Sequence, residues 1–349
     1  MDINHKHKKG KQFKILFFLV ILLIITSIIS LGMGTVKIMS RDILNIMMHK
    51  LNLFGIEPYW NENYEKIIFD IRLPRTILAA LVGMALSIAG TTYQGIFINP
   101  MADPYIIGAS SGASLGASIA IIYSINFSVL GINSIPFLAF LGSLGTVILV
   151  YRLAKTGERV SVMTLLLSGI AVTTFISAFV SLFTYFSDHK LHQLVFWMMG
   201  GFSSANWTYV RIIIPYIVFG MIINLIFARE LNIMLLGEET AHHLGVSVEK
   251  LKKILLISSS MLTAASVSVS GTIGFVGLVV PHIMRLIVGP DHRILLPSSA
   301  VFGAIFLITA DIISRIIIPP TEIPVGIITS LFGGPFFIYL LRSRKEQIF

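Results

Sequence analysis

Ten stretches of about twenty residues each run almost free of charge, and this decides which solvent the chain folds in. They lie near 15–36, 73–94, 106–124, 134–153, 162–186, 208–228, 253–271, 275–289, 294–316 and 324–342. A bilayer core about 30 Å thick takes about 20 helical residues to cross, and within it every backbone N–H and C=O must be satisfied locally. The sequence therefore predicts an all-α polytopic membrane protein of about ten transmembrane helices. Composition agrees, since 55% of the 349 residues are hydrophobic and only 12% are charged. A soluble chain needs about twice that charged fraction to coat itself. The run at 275–289 is short and holds Pro281, His282 and Arg285, so it is the one that could re-enter instead of crossing.

The net charge of +9 reads as topology, because the cations are unevenly placed. Seventeen of the 26 Lys and Arg fall in 1–14, 152–159, 229–253, 285–293 and 342–345, the segments that a cytoplasmic N-terminus would put inside. Both termini are then cytoplasmic and the number of spans is even. No affinity for nucleic acid is implied. The Lys-rich start before an apolar run resembles a signal peptide, but the run is too long and Leu31 to Thr35 is a poor cleavage site. An uncleaved anchor is expected, giving a basic tail over 1–14 and one transmembrane domain over 15–349. The longer connections are an outer segment at 37–71, a second at 187–207, and an inner loop at 230–252. None is long enough for a soluble domain.

Several chemistries drop out. There is no cysteine, which removes thiolate metal sites, disulfides and cysteine nucleophiles. No G-x-x-x-x-G-K-[ST] phosphate loop and no H-E-x-x-H occurs, so neither ATP hydrolysis nor a zinc-dependent intramembrane hydrolase is expected from this chain. His242 and His243 are adjacent and would point about 100° apart on a helix, a poor chelating pair. No metal site and no bound cofactor is expected. An ion-coupled carrier would need acids within the spans, and the spans offer little besides Asp311. A membrane enzyme would have to rest on His282 with Asp311. Asp311 and Arg315 stand at i, i+4 and can pair as a structural salt bridge.

Three further patterns carry candidate function. Gly108, Gly112 and Gly116 recur every fourth residue and stack on one helix face, which reads first as close helix packing and second as the lining of a path. QGIFINPMADP at 94–104 is a polar break in which Asn99 and Asp103 can cap the next helix while Pro100 and Pro104 stop the previous one. Such a turn, carrying Met101, is either an ordinary connection or a gate. In the inner loop, Glu238 and Glu239 open a short helix where the macrodipole favours acids, and Gly245 stands at its C-terminal cap. That helix is either a docking element or a solvated linker.

Taken together, RLPRT at 72–76, AGTTYQGIFINPMADPYIIGASSGASLGA at 89–117, LGEETAHHLGV at 236–246, GTIGFVGLVVPHIMRLIVGPDHRILLP at 271–297, ADIISR at 310–315 and EIPVGIITSLFGGPFFIYLL at 322–341 resemble the FecCD-type permease family. These are membrane subunits of ABC importers for iron–siderophores, haem and cobalamin, and the resemblance covers nearly the whole chain after its tail. It implies the type II ABC importer permease fold and a bacterial cytoplasmic-membrane location. It also implies pairing with a second permease copy, two cytoplasmic ATPase subunits that bind the ATP and magnesium, and an extracytoplasmic substrate-binding protein. By the same likeness, Gly237, Glu238, Glu239, Ala241, His242, His243, Leu244, Gly245 and Val246 form the loop that docks on the ATPase. Arg72, Arg75 and Arg315 would meet acids of the binding protein, and Asn99, Pro100 and Met101 with Ser161, Val162 and Met163 would form the cytoplasmic gate. The fifth and tenth spans would line the path. The outer segment 37–71, with Trp60 and Tyr64 among Glu57, Glu62 and Glu65, matches none of these motifs.

Overall fold

The computed structural model describes residues 2–345 apart from 51, 53–56, 130 and 158. In chain order the helices are α1 (Asp2–Gly32), α2 (Ser40–Lys50), α3 (Glu62–Lys66), α4 (Leu73–Ile96), α5 (Ala109–Ile122), α6 (Ser134–Ala154), α7 (Val162–Tyr185) and α8 (Leu191–Met199). They continue with α9 (Trp207–Ile226), α10 (Ala228–Met234), α11 (Glu238–His243), α12 (Val248–Ser270), α13 (Val276–Val288), α14 (His292–Ile316) and α15 (Val325–Lys345). Two small antiparallel hairpins punctuate them, β1 (Ser128–Val129) with β2 (Ile132–Asn133) and β3 (Lys155–Thr156) with β4 (Arg159–Val160).

Every apolar run expected to cross the membrane is a helix. Seven are long enough to span alone, and Ala109–Ile122, Val276–Val288 and Val325–Leu340 are shorter. At 1.5 Å per residue, the 14 residues of α5 and 13 of α13 cover about 20 Å each, short of the bilayer core. Both are preceded by irregular chain that descends into the protein, which a membrane tolerates only where the backbone is buried and bonded internally. Before α13, the Gly201 N–H donates to Ser270 O at 2.7 Å and the Tyr105 hydroxyl to Ile273 O at 3.0 Å.

Helix α4 is the hub. From Ala85 to Ile96 every residue is buried, enclosed by α9, α12, α13 and α14. Small residues permit this. A Cβ on Gly90 would lie 1.8 Å from Gly277 O on α13, so only hydrogen fits there. Polar side chains on its inner half bond across helices: Thr92 donates to Asn224 Oδ1 at 2.6 Å and Tyr93 shares a 2.8 Å bond with Ser260. In contrast α1 sits at the rim, with Phe13, Phe17 and Phe18 exposed as a lipid-facing residue should be.

The described residues of the outer segment that matched no motif are largely helical. Ile38, Ile43 and Ile46 of the α2 region pack with Leu31 and Ile68 into a small apolar cluster, flanked by Trp60 and Tyr64. From Glu62 the chain runs through a π-helical turn (Ile67–Arg72) directly into α4, so this span begins well before residue 73.

The ends of the helices sort into two groups. Segments read as outer bond to one another: Arg72 to the last turn of α1 and Arg315 to the chain just after it, Trp207 Nε1 to Phe69 O at 2.8 Å, and Lys190 to Ile122 O at 2.8 Å. Segments read as inner do likewise, through Lys252 to Val160 O at 3.4 Å and Asn232 to Asp291 at 2.6 Å. This sorting is what an alternating ten-helix topology requires.

Candidate functional site

The outer end is organised by buried charge. Asp311 on α14 accepts from Arg75 of α4 at 2.9 and 3.0 Å and from Arg315 Nε, one turn along its own helix, at 3.1 Å. The i, i+4 pair read from the sequence is therefore present, with Arg75 added to it. Arg75 also donates from Nη1 to both oxygens of Glu322 at 2.9 Å. Arg315 reaches Ser30 Oγ at 2.8 Å and Met33 O at 2.9 Å, and Arg72 donates to Leu31 O at 2.7 Å and to Val36 O.

Arg72, Arg75 and Arg315 are thus all at the outer end, but all three are buried and their guanidiniums are spent on the protein itself. Glu322, with 39% of its side chain exposed, is the member of this network that solvent reaches. Beside it opens a cavity of about 520 Å³, lined by His192, Ser203, Tyr209 and Ser270 among others. No sequence signal gave Glu322 a role, since its partner Arg75 lies 247 positions away.

Gly108, Gly112 and Gly116 face α6. A Cβ on Gly112 would meet Gly142 O at 2.3 Å and one on Gly116 would meet Leu138 O at 2.0 Å, so the two backbones touch. Gly108 stands just before α5 in a left-handed conformation, φ 84°. The next helix therefore starts at Ala109, and Asn99 and Asp103 do not cap it. Instead Asn99 Oδ1 accepts from the Met101 N–H at 2.9 Å and Asp103 Oδ1 from the Tyr105 N–H at 2.8 Å. These are two successive side-chain turns, which is the competing use of Asn and Asp oxygens. Burial pushes the Asp103 carboxyl up to about 6, against the opposing pull of the Tyr105 N–H. In this turn Asn99 is exposed and Met101 half-buried.

At the same inner end, α11 is the short helix read from Glu238 and Glu239. Gly237 precedes it with φ 99° and Gly245 follows with φ 86°. The Val246 N–H donates back to Ala241 O at 3.0 Å and the Gly245 N–H to His242 O at 3.0 Å, closing the C-terminal turn. Ala241 and Val246 are buried and anchor the element, while Glu239, His242, His243 and Leu244 face outward. The two imidazoles stand at 83° to each other.

Two residues that no motif singled out tie α11 to the α6–α7 connection. Lys252 Nζ lies 2.6 Å from Glu238 and 3.6 Å from Glu249, and donates to Val160 O at 3.4 Å. Glu249 accepts from the Val160 N–H at 3.2 Å. Ser161, Val162 and Met163 come next in the chain, so that turn is brought to α11. The turn holding Asn99 to Met101 is tied elsewhere, through the Asn99 N–H to Gln94 O at 3.1 Å and the Pro104 ring against Gly277. The sole sequence signal for this node was the i, i+3 spacing of Glu249 and Lys252.

Asp311 is committed to two arginines, and His282 stacks edge-on against Phe336 with centroids 6.1 Å apart. Among the described residues no three His, Asp or Glu side chains gather where a metal could sit. A bundle of apolar helices with ordered polar elements at both ends defines a multi-pass membrane protein.

Comparison with known proteins gives the particular kind. Residues 22–343 match the FecCD transport family. The chain is 47% identical to the cobalamin import system permease protein BtuC of Halobacterium salinarum, over 82% of this chain and 76% of that protein. It is 41% identical to the hemin transport system permease protein HmuU of Yersinia pestis, over 95% and 96%. It also superposes on the inward-facing structure of an ABC transporter provisionally classed as metal-chelate type, with TM-score 0.82 and 34% identity over 95% of this chain and 99% of that one. The chain belongs to the FecCD transport family and is an ABC importer permease. That fold implies ATPase and binding-protein partners.

Proposed function

We propose that this chain forms a homodimer that carries an iron chelate, an iron–siderophore or haem, across the bacterial cytoplasmic membrane, driven by ATP hydrolysed on two separate subunits. The observation that carries the reading is α11, a capped helix anchored by Ala241 and Val246 that turns Leu244 and its polar neighbours outward at the inner end. An element built this way serves a partner that pushes on it, and Gly237 to Val246 are its contact with the ATPase. The path runs between the two copies along α7 and α15. Met163, Leu167, Ile170 and Phe175 of α7, and Leu331 and Phe332 of α15, are exposed in the single chain, as residues facing a second copy would be. The cytoplasmic gate consists of Asn99, Pro100 and Met101 with Ser161, Val162 and Met163.

Docking of the binding protein at the outer end works through the arginine network. Arg72 and Arg315 shape the platform, and Glu322 holds Arg75 until an acid of the partner competes for it. Haem or a siderophore complex is favoured by the likeness to a hemin permease over nearly the full length of both chains. Cobalamin is the second reading, favoured by the higher identity, over a smaller share, to a cobalamin permease.

The test is reconstitution of the permease with the ATPase and binding protein encoded beside it, followed by uptake of ferric hydroxamate, haem and cyanocobalamin into ATP-loaded vesicles. Uptake of either iron compound supports the first reading, and uptake of cyanocobalamin alone supports the second. Transport that persists without the ATPase overturns both.

A further inference from the structure

We infer that Lys252 is a positioning residue that locks the coupling helix α11 to the gate turn before α7, so that a push on α11 is delivered to Met163. The inference deepens the coupling reading given above and rests on it.

The side chain of Lys252 is 4% exposed, so its ammonium has almost no water to bond. A buried ammonium carries three donors and a full charge, and both have to be met by protein. Here the partners come from three separate pieces of chain: Glu238 at the first residue of α11, Glu249 one turn back on α12, and the carbonyl of Val160. Glu249 closes the ring by accepting from the N–H of that same Val160. Val160 is itself held, its side chain buried and its backbone paired with Lys155 across the β3–β4 hairpin. The next residue, Ser161, leads into α7.

Between the acid that opens the docking helix and the residue that precedes the gate turn there is therefore a single ammonium. Movement of α11 away from α12 would pull Glu238 off Lys252, or else drag the hairpin with it. Two carboxylates share this one cation, and without it they would face each other and repel. Lys250 and Lys253 are exposed on the same helix and do not occupy this position.

The chain has no cysteine, so pairs of spin labels can be placed freely. In the assembled transporter, Met163→Cys with Lys66→Cys reports movement of the gate turn against the outer end, and Met163→Cys with Thr240→Cys reports movement against α11. Trapping ATP with vanadate should change the first distance while the second keeps its mean and width. In Lys252→Met the change in the first distance should shrink to less than about half, and the second distribution should broaden. Lys252→Arg, which keeps the charge, should restore both. A merely structural lysine would lower stability without separating the two distances.

The proposal is overturned if Lys252→Met shows the wild-type change in both pairs. If nucleotide leaves the first distance unchanged in the wild type, the gate reading fails and the proposal falls with it. Should Lys252→Met fail to assemble, Glu249→Gln, which removes one carboxylate and weakens the acceptor for Val160, must loosen the second distance, and wild-type behaviour there overturns the proposal equally.

Discussion

Arg75 and Asp311 meet through two guanidinium nitrogens on one carboxylate oxygen, at 2.9 and 3.0 Å, across 236 positions of sequence. The pair joins α4 to α14 at the outer end, and it leaves Asp311 with a second cation, Arg315, at 3.1 Å. One fully buried acid thus bridges two arginines, with Glu322 supplying the second negative charge, and its loss cannot be made good by water.

Asp311→Asn should therefore cost about 3–5 kcal/mol, because removing one partner strands a buried charge. The thermal midpoint of the purified permease in detergent measures this. Glu322→Gln should cost far less, since that acid is partly in solvent and its pair is screened. Equal midpoints for wild type and Asp311→Asn would show that the network does not hold the two helices together.

At the docking face the same Glu322→Gln substitution should tighten binding of the substrate-binding protein. It frees one edge of Arg75 for a partner's carboxylate, and the gain should be larger at low than at high ionic strength. Binding measured at two salt concentrations decides, and unchanged or weakened affinity at low salt would contradict the competition.

The gate assignment predicts contact between copies. Met101→Cys, alone in a cysteine-free chain, should crosslink across the dimer in one nucleotide state and several-fold less in another, since a disulfide needs the two Cα atoms within about 7 Å. Crosslinking indifferent to ATP would make the turn at 97–108 a fixed connection.

Asp103 predicts a pH dependence. Its carboxyl titrates at about 6 in the folded protein, against the ordinary 3.8 of an aspartate in water. The folded state thus binds the proton more tightly, and the associated stability is full below pH 3.8 and lost as pH rises through 6. The wild type should lose about 2 kcal/mol between pH 4 and 7 from this group, and Asp103→Asn, which keeps the oxygen that accepts from Tyr105, should not. Parallel midpoint curves for the two proteins would rule this out.

What the sequence disclosed and what it hid follow from distance along the chain. Apolar runs are local, so all ten appear as helices, and α11 with its two acids and Gly245 was legible because caps are local too. Orientation and partnership are not local. Arg72, Arg75 and Arg315 were recognisable as outer cations, and the Asp311–Arg315 pair was legible from its spacing, but the sequence could not say that Arg72 and Arg75 turn inward, because Leu31 and Asp311 lie in other helices. The Lys252 node was hidden for the same reason, since Val160 is 92 positions away. Asn99 and Asp103 misled in a different way, as both are good capping residues placed before a helix whose true start is set by Gly108.

The burial of α4 also sets a timetable. This helix is the second apolar run to leave the ribosome, yet α12, α13 and α14, which enclose it, follow more than 150 positions later. At about 5–20 residues per second, Arg75 waits roughly 10–50 s for Asp311 to be made. Thr92 meets Asn224 sooner, but the Gly90 face stays open until α13 arrives. During that interval the nascent permease holds this span in lipid without α12, α13 and α14. A chain broken off before α14 would leave Arg75 permanently without Asp311, a buried cation that only the completed chain can pair.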